Sequence, residues 1–419
     1  METILKHPNL NTPVTETGVS TQALTFLGQK YGLPLYIYDT NIIKRQYKRL
    51  TNAFKNSKVK IKYACKALSN INILRFMHRL GSGLDTVCIQ EVKIGLKAGF
   101  QASDIIFTPN GVALSEIEEA VSLGVHINID NISILEQFGQ RYGSSTPICI
   151  RINPHIFAGG NHQISTGHID SKFGISIYQM RHVQRIVETT GLKVIGLHMH
   201  TGSDIKNTQV FMQAAEVLFD TCRHFKDLQF LDFGSGFKVP YKPDGIATDV
   251  VSLGQAFSER FKSFCADYGR DLEVWFEPGK FLVSEAGKFI VKVNVIKPTM
   301  ATVFAGIDSG LNHLIRPMFY NAYHHIENLS NPNGTKRIYT VSGYICETDN
   351  FAWDRQIAEI REGDLLVFHN AGAYGYEMSS NYNSRFRPAE VMLLDGKDYL
   401  IRKRDTLEDL LKNQVEIQF

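Results

Sequence analysis

The sequence lacks the features of a secreted, membrane-spanning or disulfide-stabilised protein. Its six cysteines include no C-x-x-C pair and are widely spaced, which argues against a disulfide framework or a structural zinc site. No apolar run reaches the length that crosses a membrane, and the first residues contain no apolar signal-peptide core. We therefore expect a cytoplasmic protein.

The sequence also lacks a strong excess of charge of either sign. The net charge is +3 over 419 residues, with 43% hydrophobic and 21% charged residues. This balance predicts an ordinary globular protein that binds neither nucleic acid nor a membrane surface. There is no internal repeat or low-complexity tract, and the length exceeds that of one ordinary hydrophobic core.

What the sequence does contain is a series of eight short, β-rich apolar runs that end in polar or turn-forming residues. These runs are Val59–Lys66, Gly83–Cys88, Ile105–Asn110, His126–Asp130, Pro147–Asn153, Lys193–His200, Leu228–Gly234 and Glu273–Gly279. Stretches of helical periodicity lie between most of them. Eight strand–helix units predict a (β/α)8 TIM-like barrel, whose reactive groups gather at the C-terminal ends of its strands. An open doubly wound sheet is the alternative, and the count of eight favours the barrel.

After the barrel units the pattern changes to short strands separated by turns rich in Gly, Asn and Asp. The strands predicted there are Ile338–Cys346, Asp364–Asn370 and Glu390–Leu394. They indicate a mainly antiparallel β domain. Leu35–Asp39 also reads as a strand and could join that domain, which would make it discontinuous. The expected boundaries are 42–285 for the barrel, and 1–41 with 286–419 for the β domain.

Reactive side chains follow several of the predicted strands. Lys66 ends the first run, where an apolar environment would favour a neutral amine able to form a Schiff base, although an isolated lysine is more often a solvated surface residue. Glu277 ends the last run and could keep a pyridine nitrogen protonated, or simply cap a turn before proline. Gly234-Ser-Gly236 could bring backbone N–H groups to a phosphate, although glycines close many such turns.

The sixth run ends in two histidines. Strand alternation sends His198 and His200 to the same face, so a metal pair is one interpretation. No third ligand lies at a zinc-like spacing nearby. A His200 that stacks on a flat ring, with Ser203 bonded to a phosphate, agrees better with the other motifs.

The second domain carries its own polar cluster. Cys346 and Glu347 stand together near the end of a strand, although a cysteine is by itself more often a small buried apolar residue. An aromatic and Ser/Asn-rich stretch follows, and it contains Arg385 and Arg387. These residues suggest the recognition of a polar, anionic ligand.

In this order, the motifs resemble those of the pyridoxal-phosphate-dependent fold-type III decarboxylases, most closely the diaminopimelate decarboxylases, from about Pro34 to Arg402. The resemblance implies an alanine-racemase-like fold and pyridoxal 5'-phosphate as the cofactor. It implies decarboxylation of meso-2,6-diaminopimelate to L-lysine and CO2, the last step of lysine biosynthesis. It also implies a homodimer with shared active sites, in which Cys346 and Glu347 reach the other subunit's cofactor.

The resemblance also assigns roles to single residues. Lys66 resembles the lysine that carries the cofactor, and Cys346 resembles the acid that reprotonates the substrate carbanion. The residues that would bind the cofactor are Lys66, Asp85, His200, Ser203, Gly234, Ser235, Gly236, Glu277, Gly279 and Tyr374. Those that would bind the substrate are Lys280, Arg316, Tyr320, Glu347 and Tyr374.

The sequence departs from the family pattern at two of these positions. Lys280 replaces the arginine of the family's Glu-Pro-Gly-Arg motif, so it supplies charge without a bidentate fork. Ser235 replaces the middle glycine of the phosphate turn.

Three alternative functions remain open. The protein could decarboxylate ornithine, arginine or carboxynorspermidine, or it could be an amino-acid racemase of the same architecture. It could also bind the cofactor without catalysis, although the presence of Cys346 and Glu347 argues against that.

Overall fold

The computed structural model describes residues 18–156, 171–200, 202 and 208–419. The described helices are α1 (Thr21–Tyr31), α2 (Thr40–Ala53), α3 (Ile71–Arg79), α4 (Ile89–Ala98), α5 (Leu114–Ser122), α6 (Ile132–Tyr142), α7 (Met180–Thr190), α8 (Thr208–Cys222), α9 (Val250–Tyr268), α10 (Lys280–Val283), α11 (Arg316–Tyr320) and α12 (Leu407–Leu411). The described strands are β1 (Leu35–Asp39), β2 (Val59–Ala64), β3 (Gly83–Thr86), β4 (Ile105–Phe107), β5 (His126–Ile129), β6 (Ile148–Asn153), β7 (Ile175–Ser176), β8 (Val194–Met199), β9 (Phe230–Asp232), β10 (Glu273–Phe276), β11 (Gly287–Pro298), β12 (Val303–Ile307), β13 (Ile326–Asn328), β14 (Lys336–Ser342), β15 (Asn350–Ala358), β16 (Leu365–Phe368), β17 (Ala389–Leu394) and β18 (Lys397–Arg402).

The eight predicted runs form a closed barrel. The strands follow the order β2, β3, β4, β5, β6, β8, β9 and β10, and β10 pairs with β2 to close the ring. Every pairing in this ring is parallel. The predicted (β/α)8 barrel is therefore confirmed, and the closure excludes an open sheet.

Aromatic packing holds the last helices of the barrel against its strands. Phe211 of α8 and Phe257 of α9 are fully buried, and the Phe257 ring lies 4.9 Å from the ring of Phe233. Phe276 on β10 belongs to the same cluster, 6.0 Å from Phe257. Burial of such large apolar side chains is the main stabilising contribution in a domain core. The cluster fixes the segment after β9, which carries the predicted phosphate turn.

A second sheet is built around β1. Its order is β15-β14-β12-β11-β1-β17-β18, and β16 pairs with β11 and β13. Only β1–β17 and β12–β14 are parallel among its pairings. The predicted mainly antiparallel domain, joined by Leu35–Asp39, is therefore confirmed. The strands β11, β12, β13, β15 and β18 were not predicted.

Residue contacts divide the chain into two compact units. The barrel unit comprises Lys44–Pro240 and Asp244–Leu282, and the β unit comprises the described residues up to Ile43, with Tyr241–Pro243 and Val283–Phe419. The functional domain boundaries at residues 42 and 285 stay predictions. No helix among the described residues is both long and apolar enough to span a membrane.

Lys62 is a charged residue inside the barrel core. It is 1% exposed on β2, and its Nζ donates to the Asp104 carbonyl oxygen at 2.9 Å and lies 4.2 Å from the Trp275 ring centroid. Burial lowers the pKa of this amine from 10.5 to about 8. Because the folded state binds the proton less tightly than the unfolded state, the destabilisation is full below pH 8 and fades as the pH rises towards 10.5.

We expect Lys62→Met to raise the free energy of unfolding by roughly 1–3 kcal/mol at pH 7, since a buried charge is exchanged for an apolar chain of similar length. This increase in the free energy of unfolding should be smaller at pH 10. Urea unfolding at both pH values measures it. The control is Lys60→Met on the same strand, whose amine is half exposed and pairs with Glu273 at 3.0 Å. Equal effects of the two variants would contradict the prediction.

Candidate active site

The C-terminal ends of β2 and β3 place an amine beside a buried carboxylate. Lys66 lies in a short turn directly after β2, with its Nζ 3.8 Å from Asp85 Oδ2. The Lys66 side chain is 46% exposed and that of Asp85 is 2% exposed. Burial raises the pKa of Asp85 well above its usual value, helped by Glu277 and opposed by Lys66. The amine is therefore accessible to a ligand, while its neighbour is sealed from water.

Glu277 follows β10 and sits in a second group of buried ionisable side chains. Its Oε2 lies 3.3 Å from His198 Nε2, and its Oε1 has no hydrogen-bond partner. Ligand atoms of His198, Asp232 and Glu277 all lie within 4.8 Å of one another. Sequence reasoning missed Asp232 as a member of this site. Its signal was an acid within the apolar run that ends at Gly234.

The protonation of this group follows from burial and contact. Burial raises the pKa of Asp232 well above its usual value, and the nearby Glu277 carboxylate adds to the shift. Burial alone would also raise the pKa of Glu277, but His198 and then Lys66 reverse this and lower it to about 2. Burial lowers the pKa of His198 in spite of Glu277. We therefore take Glu277 as ionised, His198 as neutral and Asp232 as protonated.

Arg151 is a buried cation that the sequence analysis also missed. It lies on β6, is 7% exposed, and packs with its guanidinium 4.8 Å from the Phe173 ring centroid. After burial, its charge is the largest cause that lowers the pKa of His200 well below the usual value. The signal was again an ionisable residue in a buried strand, with Arg151 two positions before the strand's end.

The glycine turn after β9 is tied to its neighbours by its backbone. Gly234 has φ +59°, and a Cβ there would lie 2.4 Å from His200 Nδ1, so no side chain fits. The N–H of Gly234 donates to Asp232 Oδ1 at 2.8 Å, and that of Ser235 donates to His200 Nδ1 at 3.2 Å. Two N–H groups of the turn thus donate hydrogen bonds to side chains of the protein itself. The phosphate contacts predicted for Gly234, Ser235 and Gly236 stay predictions.

Backbone contacts also join this turn to the segment after β10. The Glu277 N–H donates to the Gly234 carbonyl oxygen at 2.6 Å. A Cβ on Gly279 would lie 2.8 Å from the Ala67 Cβ, so glycine allows the two loops to pack closely. Lys280, which begins α10, is half-buried. Ser203, the other predicted phosphate ligand, lies outside the described residues.

In the β unit, Arg316 is enclosed by tyrosines. It is 8% exposed, its Nη2 donates to the Tyr241 hydroxyl at 3.3 Å, and its Nε has no hydrogen-bond partner. Its guanidinium carbon lies 5.4 Å, 5.8 Å and 5.9 Å from the ring centroids of Tyr241, Tyr320 and Tyr374. A buried guanidinium with an unused donor suits an anionic ligand. Tyr241 was not predicted from the sequence.

Cys346 and Glu347 follow β14 on the surface of the β unit. Asn383 Nδ2 lies 3.5 Å from Cys346 Sγ, and the Tyr382 hydroxyl donates to Glu347. Both residues are exposed in this single chain. Asp349 fixes the turn that carries them, because its carboxylate accepts from the N–H of Ile345 at 2.9 Å.

A metal ion is the alternative occupant of the His198, Asp232 and Glu277 group. His200, the other member of the metal pair that the sequence left as an alternative, is not part of this group, and its Nδ1 accepts from the Ser235 N–H. Arg151 and Lys66 both lower the pKa values of His198 and His200, so their positive charges act on the same site. Two neighbouring cations and a protonated acid oppose the binding of a divalent ion.

Comparison with known proteins agrees with this geometry. Residues 40–284 match the family described as pyridoxal-dependent decarboxylase, pyridoxal binding domain. The diaminopimelate decarboxylase of Methanothermobacter thermautotrophicus is 38% identical over 93% of this chain and 93% of its own. The chain belongs to the diaminopimelate decarboxylase family.

Other members of the family are similarly close. The Haemophilus influenzae diaminopimelate decarboxylase is 36% identical, over 92% of this chain and 94% of its own. The crystal structure of the Helicobacter pylori enzyme complexed with L-lysine superposes with a TM-score of 0.86 at 32% identity, covering 93% of this chain and 98% of that chain.

The described residues fit the cofactor that the family uses, pyridoxal phosphate. Lys66 offers an accessible amine for its aldehyde. The unpartnered, buried Oε1 of the ionised Glu277 suits a protonated ring nitrogen. Without a side chain at Gly234, the turn packs directly against the imidazole of His200.

Proposed function

We propose that this protein decarboxylates meso-2,6-diaminopimelate to L-lysine and CO2 as the last step of lysine biosynthesis. The observation that carries the proposal is the accessible amine of Lys66 beside the buried Asp85, with its charge acting on the buried, ionised Glu277, in a chain 38% identical to a diaminopimelate decarboxylase. Bound here, pyridoxal phosphate supplies an electron sink for the pair of electrons left by the departing carboxylate.

Each residue of the site has a proposed part in the reaction. Lys66 holds the cofactor through its Nζ, and Glu277 keeps a proton on the ring nitrogen. Asp85 lines the pocket beside the amine, and His200 packs on the ring. The phosphate is held by Ser203, Gly234, Ser235 and Gly236, and Gly279 and Tyr374 complete the cofactor site. After CO2 leaves, Cys346 delivers a proton to the α-carbon.

The substrate carries two like ends, and the proposed ligands match them. Arg316 binds the distal carboxylate, assisted by Tyr320 and Tyr374, because its buried Nε is a donor without an acceptor. Glu347 binds the distal ammonium. Lys280 adds positive charge where the family has arginine, as a point charge without a fork.

Borohydride reduction tests the cofactor assignment. Purified protein should be yellow, and reduction should fix the cofactor on the peptide that contains Lys66, because that amine is the accessible one beside Asp85. Mass spectrometry of the digest locates the label. Lys66→Ala should abolish it and serves as the control. A label on Lys93 or Lys280 would contradict the assignment.

Product analysis separates the alternative functions. We expect CO2 from diaminopimelate and little from ornithine, arginine or carboxynorspermidine, which lack the distal carboxylate. A racemase would release no CO2, and a non-catalytic cofactor-binding protein would consume none of these substrates. The Vibrio vulnificus lysine/ornithine decarboxylase is 21% identical and shares the fold alone, with a TM-score of 0.78.

We also propose that the protein is a cytoplasmic homodimer with shared active sites. Cys346 and Glu347 are exposed in the single chain, which leaves them available to a second subunit's cofactor. The functional barrel domain would span 42–285, and the β domain 1–41 and 286–419.

Subunit mixing tests the shared site. Lys66→Ala and Cys346→Ala should each be inactive alone, but mixing them should restore up to about a quarter of wild-type activity. Half of the random dimers are then hybrids, and one of their two sites contains both residues. Activity is measured as CO2 release, after native mass spectrometry has shown that hybrids formed. Hybrids without activity would place each site within one chain.

A further inference from the structure

The imidazole of His198 connects Glu277 to a second buried polar residue. His198 is 1% exposed on β8, with its Nε2 3.3 Å from Glu277 Oε2. On the other side of the ring, Asn128 Nδ2 lies 2.7 Å from His198 Nδ1. Asn128 is fully buried on β5, and its amide nitrogen also donates to Thr108 Oγ1 at 3.2 Å. The series of contacts from Asn128 through His198 to Glu277 therefore lies inside the barrel.

The direction of these contacts fixes the imidazole proton. If the Asn128 amide nitrogen donates, His198 Nδ1 is an acceptor, and the single proton of a neutral ring lies on Nε2, facing Glu277. If the amide were reversed, Nδ1 would carry the proton. Nε2 would then present a lone pair to a carboxylate, or carry a second proton and make a buried cation. The first arrangement alone joins a neutral ring to an anion through an N–H group.

This N–H group of His198 faces the Glu277 carboxylate. His198 Nε2 makes no hydrogen bond of good geometry among the described residues, and Glu277 Oε2, at 3.3 Å, is the acceptor that it approaches. The protonated Asp232 also lies beside the Glu277 carboxylate and can hydrogen-bond to it. The imidazole therefore restrains one oxygen of a carboxylate whose other neighbour is an acid.

We infer that Asn128 and His198 form a positioning pair, which orients Glu277 and keeps it ionised by holding an N–H group of His198 against Oε2. The inference rests on the proposed function in one respect, that Glu277 faces the cofactor's ring nitrogen. Neither Asn128 nor His198 is assigned contact with the substrate. They act through Glu277, as an oriented carboxylate is a better partner than a mobile one.

The tautomer can be measured in the protein without cofactor. We expect ¹⁵N-histidine NMR of the apoprotein to show, among the neutral rings protonated at Nε2, one ring whose signals disappear in His198→Gln. Asn128→Asp should add a proton at Nδ1 and make the ring an imidazolium, because carboxylates then flank both nitrogens. A wild-type His198 ring protonated at Nδ1 would overturn the inference. So would a His198 ring whose protonation does not change in Asn128→Asp.

Rescue by a conservative variant tests the effect on Glu277. His198→Gln can place an amide N–H near the position of Nε2, whereas His198→Leu has no donor. We expect His198→Leu to lower kcat at least 10-fold with little change in KM and to weaken protonation of the ring nitrogen of ¹⁵N-labelled cofactor. His198→Gln should restore most of the lost kcat and most of the protonation of the ring nitrogen. Equal losses in the two variants would mean that the ring only fills space.

A matched control comes from the same strand as Asn128. His126 begins β5, is partly buried, and bonds through Nε2 to the Ser103 carbonyl oxygen at 3.0 Å. His126→Leu should leave the cofactor's ring-nitrogen signal unchanged. A protein that binds no cofactor would refute the proposed function, but the apoprotein tautomer would still decide the inference.

Discussion

Diaminopimelate should be decarboxylated with a kcat/KM on the order of 10⁴ times that for lysine, which differs from it by one carboxylate. A site built to pair with a substrate group rejects the analogue that lacks it, because its own buried groups are then left unpaired. Arg316 is such a group, with 8% exposure and an Nε that lacks an acceptor. Initial rates of CO2 release with both amino acids measure the ratio. Comparable values would overturn the substrate assignment and leave the decarboxylase assignment intact.

The same preference should depend on Arg316. Arg316→Ala should lower kcat/KM for diaminopimelate by a factor on the order of 10²–10³, since removing one partner of a buried charge pair costs about 2–5 kcal/mol. The already slow reaction of lysine should change little, so the ratio of kcat/KM for diaminopimelate to that for lysine should decrease. A matched control is Arg355→Ala, because Arg355 is half-buried in the same unit and stacks on Tyr323 with its guanidinium carbon 3.9 Å from the ring centroid. Equal losses with both substrates would assign Arg316 a structural role.

Glu277→Gln should lower kcat by a factor on the order of 10²–10³ while leaving cofactor binding largely intact. A neutral amide cannot hold the ring nitrogen protonated as an anion does, so the electron sink is weakened more in the transition state than in the ground state. Single-turnover kinetics and a cofactor titration separate the two effects.

Two controls accompany the Glu277 variant. Glu273→Gln changes an acid at the start of β10, the strand that Glu277 follows, and this acid pairs with Lys60 at 3.0 Å, so its change should not affect turnover. Dialysis of the wild-type protein against a chelator should leave activity unchanged if His198, Asp232 and Glu277 serve the cofactor. Activity that falls on chelation and returns with a divalent ion would support the metal interpretation, and near wild-type turnover in Glu277→Gln would leave Glu277 as a turn residue.

The sequence predicted the second domain less completely than the barrel. Strand β1 and the turn at Asp395-Gly396 could be predicted from the sequence, because a short β-rich run and an Asp-Gly pair are local signals. The turn residues indeed have φ of +50° and +75°. Strands β11 and β12 were missed. Their pairing depends on partners far away in the chain, such as Leu35 opposite Ile290.

The sequence by itself determined the number and order of the barrel strands, since alternation of apolar runs and helical segments is a local property. It also determined that Lys66, Asp85 and Glu277 follow strand ends, because a residue's place along a strand is set by the strand's own pattern. Only the tertiary structure showed that His198 lies between Asn128 and Glu277, and that Tyr241 contacts Arg316. These contacts join residues 70 or more positions apart, and their burial also sets which acids keep their protons. Closure of the barrel fixes the contacts of His198, and packing within the β unit fixes that of Arg316, so no single segment of the sequence carries that information.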